Sequence, residues 1–400
     1  MKIYFVAGEA SGDEHGAALM RSLRELGPDL EFHGRGGPLM KEAAGDAFLN
    51  WSDAAAVVGL WEVVKRYGYF RKQFEQTLRE IAAINPDTVV LIDYPGFNLR
   101  LARALRRNID LQSVRPAELD SADSETADRM SAGGTGRMPM FRLKIIYYIS
   151  PQVWAWNRGR IRQMARFLDL MLCIFPFEAE LYNQSGLRTI FVGHPMVENL
   201  AKRRTGEPRD PNLVGLFPGS RSREVKKIFP VMLRTASEIA GQRPGTRFEV
   251  AAASPSLASE IRNFLARSSL GELVQITIGD ASGAMQRASA GMVASGTATL
   301  EAAFFRLPFV LVYKVSWATY FAARLVMKTR YLGMPNVLAD REIVPEFLQH
   351  EARPGAIAHS VLQLMTEPAA RERMISDFDA IIEKLGESGA SAKAAQAILD

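Results

Sequence analysis

Cysteine is almost missing from this 400-residue chain: Cys173 is the only one, so no internal disulfide can form. A chain with no cysteine framework and no leader pattern is expected in a reducing, cytosolic setting. The first apolar run, Lys2–Ala7, is short and Gly8-Glu9 ends it, whereas a secretory signal needs a longer run and a cleavage site. No stretch of about 18 uncharged apolar residues occurs, so no segment reads as membrane-spanning. HExxH, a CxxC pair, GxSxG, GxGxxG and the P-loop are also missing, which weakens metalloprotease, hydrolase, dinucleotide and P-loop readings. The five histidines, His15, His33, His194, His350 and His359, are scattered, and each reads better as structural than as a metal ligand. No metal and no bound cofactor are therefore expected.

What is present is an ordinary globular composition, 48% hydrophobic and 23% charged, enough to bury a sizeable core. At roughly 100–200 residues per domain the length favours two domains. The formal charge of +5 suits an anionic partner such as a nucleotide, an acidic lipid or a nucleic acid. A merely solvated basic surface explains it equally well.

Short apolar runs alternate with amphipathic stretches. In the first half the runs are Ile3–Ala7, Thr88–Asp93, Ile145–Ser150, Leu170–Phe175 and Thr189–Gly193. In the second they are Leu213–Phe217, Arg247–Ala253, Val274–Ile278, Gly291–Ala294 and Phe309–Tyr313. Several lack polar alternation, as strands buried on both faces do. Helical patterns such as His15–Glu25, Phe70–Ala83 and Pro230–Gly241 lie between them. The fold class is thus α/β, with two doubly wound, Rossmann-like domains. The charged, proline-containing stretch Ala201–Asn212 reads as the linker. The expected division is 1–200, 201–375 and a final helix over 376–400. Residues 110–140 break the pattern: they are rich in Ser, Ala, Asp and Gly and read as a disordered insertion.

Four turns could carry chemistry. Gly8-Glu9-Ala10-Ser11-Gly12-Asp13-Glu14 follows the first strand, with Ser11 and Glu14 at capping-box spacing. Its acidic residues disfavour a phosphate, so a sugar hydroxyl is the better guess, against a plain strand–helix turn. Asp93 ends an apolar strand, where open parallel sheets bind ligands. A carboxylate there can take a proton from an attacking hydroxyl, or simply cap the turn that follows. Pro218-Gly219-Ser220-Arg221 opens the second half with the same strand–glycine–helix design. Here arginine can fork onto a diphosphate while backbone N–H groups hold its oxygens. Ser295-Gly296-Thr297 ends a later strand in small hydroxylated residues, with Glu301 a turn further on, placed for a ribose diol or for the helix dipole.

Two stretches mix aromatic and basic residues at helical spacing, Val57–Phe74 and Tyr313–Leu332. Each fits an interfacial membrane helix or an ordinary helix against the core.

Read together, AGEASGD from Ala7, IDYPGFN from Ile92, YYISPQVWAWNRGRI from Tyr147, FPFEAELY from Phe175, FVGHP from Phe191, FPGSRSREV from Phe217, ASGTATLEAAF from Ala294 and PNVLADREIVPE from Pro335 resemble the bacterial lipid-A-disaccharide synthases, in the family's order over nearly the whole chain. The resemblance implies a glycosyltransferase B fold, two domains facing across a cleft. It implies an inverting, metal-independent transfer of diacylglucosamine from UDP-diacylglucosamine to diacylglucosamine 1-phosphate, giving the β-1,6-linked disaccharide phosphate and UDP. Catalytic roles then fall to Asp93 and Arg221. UDP falls to Gly219, Ser220, Arg221, Ser295, Gly296, Thr297, Glu301 and Asn336. The acceptor falls to Gly8, Glu9, Ser11, Gly12 and Asp13, and acyl or membrane contact to Val57, Leu60, Trp61 and Val64. The family's place is the cytoplasmic face of the inner membrane, on its anionic surface, with no nucleic acid partner; a homodimer stays open. The insertion departs from the family pattern. Alternatives are another UDP-sugar enzyme of this fold, such as a UDP-N-acetylglucosamine epimerase, or a non-catalytic lipid- or nucleotide-binding protein.

Overall fold

The computed structural model describes residues 1–45, 47–51, 67–113, 143–156, 159–316 and 329–400. They form two compact units. The first holds Met1–Val153, Asn157–Gly193 and Gly389–Asp400, and the second holds Trp154–Trp156 and His194–Ser388.

In the first unit seven strands build one parallel sheet: β1 (Lys2–Ala7), β2 (Glu31–Gly36), β3 (Phe48–Asn50), β4 (Thr88–Ile92), β5 (Lys144–Tyr148), β6 (Leu170–Cys173) and β7 (Thr189–Phe191). Their order is β3-β2-β1-β4-β5-β6-β7. The connecting helices are α1 (Ala10–Leu26), α2 (Pro38–Ala44), α3 (Tyr67–Ile84), α4 (Pro95–Ser113), α5 (Val153–Trp156), of which only Val153 falls in this unit, α6 (Gly159–Met164) and α7 (Pro176–Asn183). Burial on both faces explains the unbroken apolar runs. Ile3, Phe5 and Ala7 of β1 join Leu19 and Leu23 of α1 in one core. Tyr4 and Val6 join Leu91, Phe97, Leu101 and Met164 in the other.

In the second unit the elements are α8 (Pro195–Ala201), β8 (Asp210–Phe217), α9 (Ser222–Gln242), β9 (Arg247–Ala252), α10 (Pro255–Leu265), β10 (Val274–Ile278), α11 (Ala281–Arg287), β11 (Ala288–Ala294), α12 (Ala298–Phe304), β12 (Phe309–Tyr313), α13 (Met334–Ala339), β13 (Glu346–Leu348), α14 (Pro354–Thr366) and α15 (Pro368–Lys384). The sheet is again parallel, ordered β10-β9-β8-β11-β12-β13. Two doubly wound α/β units are therefore present, as the strand–helix alternation requires.

Three differences from the sequence reading have physical causes. The final 25 residues are two helices, not one. Gly386 and Gly389 interrupt them, and α16 (Ala390–Leu399) packs Ala394, Ala395 and Ile398 into the first unit's core. The stretch read as a linker is stapled to the second unit. Arg209 donates to the carbonyls of Met285 (2.6 Å), Ala288 (2.5 Å) and Phe305, and Thr205 N–H donates to Gln286 (2.8 Å). Finally β2, β3 and β13 have no counterpart among the apolar runs. The last two are three residues long, and β2 reads Glu-Phe-His-Gly-Arg-Gly. Val57, Leu60, Trp61 and Val64, expected at acyl chains or membrane, and most of the 110–140 insertion and the 313–332 stretch lie outside the described residues.

β2 is a strand because its charge is paired inside the fold. Arg35 is fully buried and forks onto Glu80 of α3, Nε to Oε2 at 2.9 Å and Nη2 to Oε1 at 2.5 Å. Its Nη1 donates to Gln73 at 2.5 Å, and Tyr4 OH donates to Glu80 at 2.8 Å. Burial pushes the Glu80 carboxyl up, but the hydrogen bonds from Arg35 and Tyr4 outweigh it and hold the carboxyl below its usual range. Removing one member leaves the others desolvated and unpaired. Arg35→Ala is expected to cost about 3–5 kcal/mol and to lower the thermal unfolding midpoint by about 10 °C. A midpoint unchanged in calorimetry would show that this network does not hold α3 to the sheet.

Candidate active site

In an open parallel sheet the ligand crevice lies where the winding reverses, at the carboxyl ends of the strands. In the first unit that is between β1 and β4, which pair in register up to Ala7 and Ile92. β1 leads through Gly8 and Glu9 into α1, and β4 leads through Asp93 and Tyr94 into α4. The sequence-chosen carboxylate therefore stands at the switch point, beside the first glycine turn.

The Asp93 turn is unusual. Asp93 and Tyr94 are consecutive non-glycine residues in the left-handed region, with φ of 44° and 51°. Each such residue costs on the order of 1 kcal/mol or more, so the surroundings must fix it. They do: Asp93 N–H donates to the Tyr148 carbonyl at 2.9 Å. The Asp93 carbonyl accepts from Tyr147 OH at 2.5 Å and from Asn98 Nδ2 at 2.8 Å. Asn98 also reaches the Ile92 carbonyl, at 3.1 Å. The Tyr94 ring lies against Gly8, where any Cβ would fall on the ring, so only glycine fits.

Burial pushes the Asp93 carboxyl up to about 6. The neighbouring Glu9 carboxylate adds to the rise and the Tyr94 N–H opposes it. Burial and Glu9 likewise push the Tyr94 hydroxyl up to about 12. A carboxylate in that range is ionised at neutral pH yet basic enough to accept a proton during reaction.

The rest of the first turn divides. Glu9 and Ser11 are exposed on the ledge, while Gly8, Gly12 and Asp13 are buried. α1 begins at Ala10 with Glu9 as its N-cap, so Ser11 lies inside the first turn and the capping-box reading of Ser11 and Glu14 does not hold. Asp13 accepts from the backbone N–H groups of Gly37 (2.9 Å), Leu39 (3.0 Å) and Met40 (2.9 Å). Its carboxylate caps α2 from across the fold.

The second unit repeats the plan between β8 and β11. The loops after these strands enclose a cavity of about 420 Å³, lined by Gly219, Ser220, Arg221, Ser295, Gly296, Thr297 and Glu301. Gly219 (φ 109°) and Gly296 (φ 139°) take backbone conformations that side chains rarely adopt. The cavity gathers every residue expected at UDP but one. Asn336 is fully buried and does not line it. Its Nδ2 donates to Val344 and Glu346 (both 2.8 Å), and its Oδ1 accepts from Ile343 (2.7 Å) and Val344 (2.9 Å). All four hydrogen-bonding positions of the amide are spent on holding its own loop.

One lining residue carries a part that the motif alone did not reveal. Glu224, in the first turn of α9, accepts from Ser220 N–H at 3.2 Å and pairs with Arg221 Nη1 at 3.3 Å. The helical offset of Glu224 from Ser220 was the available signal.

Among the described residues no three His, Cys, Asp or Glu side chains are grouped so as to hold a metal. The sequence contains one Asp-x-Asp, Asp377-Phe378-Asp379. Its carboxylates pair with Arg341 (2.5 Å) and Arg306 (2.6 Å) on the second unit's surface.

Comparison with known proteins shows the family. A family model described as lipid-A-disaccharide synthetase matches residues 3–112 and 136–399. It passes over most of the stretch read as an insertion. The chain is 36% identical to lipid-A-disaccharide synthase of Geobacter sulfurreducens, covering 100% of this chain and 97% of that one. It is 34% identical to the Myxococcus xanthus enzyme of the same name, with the same coverage. Among solved structures, a UDP-GlcNAc 2-epimerase from Neisseria meningitidis bound to UDP-GlcNAc matches over 100% of both chains, with a TM-score of 0.59 and 12% identity. At that identity the likeness speaks for the two-unit α/β fold alone.

The raised pKa of Asp93 has two consequences. Its folded value lies above the ordinary one, so its contribution to stability is full below about pH 4 and is lost as pH rises through about 6. Asp93→Asn is therefore expected to raise the unfolding midpoint at pH 8 and to leave it unchanged near pH 4. A midpoint at pH 8 equal to or below that of the unaltered protein would contradict a desolvated carboxylate. The turnover of the unaltered protein should rise with pH through an apparent pKa near 6.

Proposed function

We propose, from the premise that the chain belongs to the lipid-A-disaccharide synthase family, that Asp93 is the general base of its glycosyl transfer and Arg221 the clamp on the departing diphosphate. The chain is an inverting glycosyltransferase. It moves diacylglucosamine from UDP-diacylglucosamine to diacylglucosamine 1-phosphate, forming the β-1,6-linked tetra-acyl disaccharide 1-phosphate and UDP.

The observation that carries the site assignment is the carboxylate of Asp93 at a switch point, with its pKa raised by burial. The step is a single displacement. The proton of the acceptor's primary hydroxyl passes to Asp93 as the oxygen attacks the anomeric carbon. The bond to the diphosphate breaks, and its electron pair leaves with UDP. The charge developing on UDP is met by Arg221, by the Ser220 N–H and by the hydroxyls of Ser295 and Thr297, with Glu301 on the ribose. Glu9 and Ser11 offer the acceptor sugar hydrogen-bonding groups beside the base. On this reading the first unit receives the acceptor and the second the UDP-sugar.

The reading includes no metal, so Arg221 supplies the charge a cation would otherwise bring. It also places the protein peripherally on the cytoplasmic face of the inner membrane, because both substrates carry acyl chains. Among the described residues no helix is long and apolar enough to cross a membrane.

Purified protein given both acylated substrates should yield the disaccharide phosphate by mass spectrometry. Conversion of plain UDP-N-acetylglucosamine instead would favour an epimerase, and UDP binding without product a non-catalytic role. Asp93→Asn should lower turnover by two to four orders of magnitude, about the range for a lost general base. Near-normal turnover removes Asp93 from that role. Arg221→Ala should weaken UDP binding in calorimetry by about 10- to 100-fold, and an unchanged affinity excludes it from the diphosphate site. EDTA should leave turnover intact; a loss restored by Mg²⁺ overturns the metal-free mechanism.

A further inference from the structure

We propose that the groove between α4 and α6 binds the phosphate of the acceptor, an inference that rests on the reaction given above. The groove belongs wholly to the first unit. It consists of two adjoining cavities of about 250 and 390 Å³ that share Arg103, Gln163 and Phe167.

Its charge is one-sided. Arg100, Arg103 and Arg107 recur at spacings of three and four along α4 and so share a face. Arg160 and Arg166 border the groove from the α6 side. No Asp or Glu occurs from Tyr94 to Ile109 or from Pro151 to Leu168. All these cations are arginines rather than lysines, which suits the forked geometry of phosphate oxygens. An ordinary solvated helix face mixes both signs of charge.

A buried group points the same way. The Arg106 side chain is only 8% exposed and lines the second cavity. Its Nη2 pairs with Asp169 at 2.5 Å, but Nε and Nη1 are buried with no hydrogen-bond partner. Leaving charged donors unpaired in the interior is costly, so the Arg106 charge adds to the positive field of the groove from beneath its surface.

Position identifies the ligand. Pro95 and Gly96 line the first cavity. Pro95 is two residues from Asp93, at most about 7 Å along the chain, so the near end of the groove opens beside the base, and Arg100, five residues further along α4, is the first cation from it. The acceptor carries a hydroxyl at one end of its ring and a phosphate at the other. The ledge of Glu9 and Asp93 repels a phosphate and the arginines attract it. The two fields together turn the hydroxyl toward the base and so select the reacting end.

The test is calorimetric binding of diacylglucosamine 1-phosphate and of its dephosphorylated counterpart, in detergent micelles, to the full chain and to Arg100→Gln, Arg160→Gln and the double variant. Both positions are exposed, so folding should survive. The unaltered protein should prefer the phosphorylated sugar. The double variant should lose about 10- to 100-fold in affinity for it, with binding of the dephosphorylated sugar and of UDP unchanged. A preserved preference, or an equal loss for both sugars, overturns the proposal. Loss of binding to phosphatidylglycerol vesicles with the preference intact would assign the groove to lipid headgroups instead, and also overturns it. Turnover is read separately. Phosphate-dependent binding that the variants lose, without any disaccharide formed, would uphold the groove and sink the reaction.

Discussion

The hydrogen bonds that hold Asp93 and Tyr94 in the left-handed region fix the carboxylate proposed as the general base. Neither residue would choose that conformation, and the strain is offset only because β4 and β5 run side by side. Tyr148 and Tyr147, consecutive on β5, take the two sides of the Asp93 peptide, one as carbonyl acceptor and one as hydroxyl donor. Asn98, one turn into α4, closes the arrangement from the helix. The sheet's register is therefore transmitted to one side chain. A slip of one residue between β4 and β5 would remove Tyr147 from the turn and leave the strain unsupported.

That placement costs stability and gains basicity from one cause. Desolvation raises the carboxyl's pKa, and the price is an ionised group held in poor dielectric at neutral pH. Glu9 deepens both effects. An acid placed freely in solvent would be harmless to the fold and too weak a base to help. The buried Arg35–Glu80 pair shows the contrasting design. There the fork of hydrogen bonds satisfies the charge, so the carboxyl stays ionised and does no chemistry.

How much the sequence disclosed follows from how local each signal is. β1, β4, β8 and β11 were legible because strands buried on both faces are apolar without interruption, and the turns after them carried the site residues. β2 was not legible, because the partners of its Arg35 lie 38 and 45 residues away. Asp13 sits inside a recognisable motif, yet its work is to cap a helix 24 to 27 residues further on. Asn336 is alike: its partners are in the loop it closes, up to Glu346. A motif records that a residue belongs to a pattern. Whether it faces the ligand or holds up the residue that does depends on long-range contacts that spacing cannot express.

The two units also set different residues on one topology. At equivalent positions after the first strand, one carries Glu9 and the other Arg221. After the fourth, one carries Asp93 and the other Ser295-Gly296-Thr297. Acids at the first switch point disfavour phosphates and suit the proton acceptor proposed there, whereas arginine and hydroxyls at the second suit the proposed diphosphate. Glu224 keeps that second site ordered without a ligand, since it occupies Ser220 N–H and Arg221 at once. A diphosphate carries more charge and more acceptor oxygens than one carboxylate, so it can displace Glu224 from donors that are already aimed. The cost of arranging those donors has then been met in folding, before the nucleotide arrives.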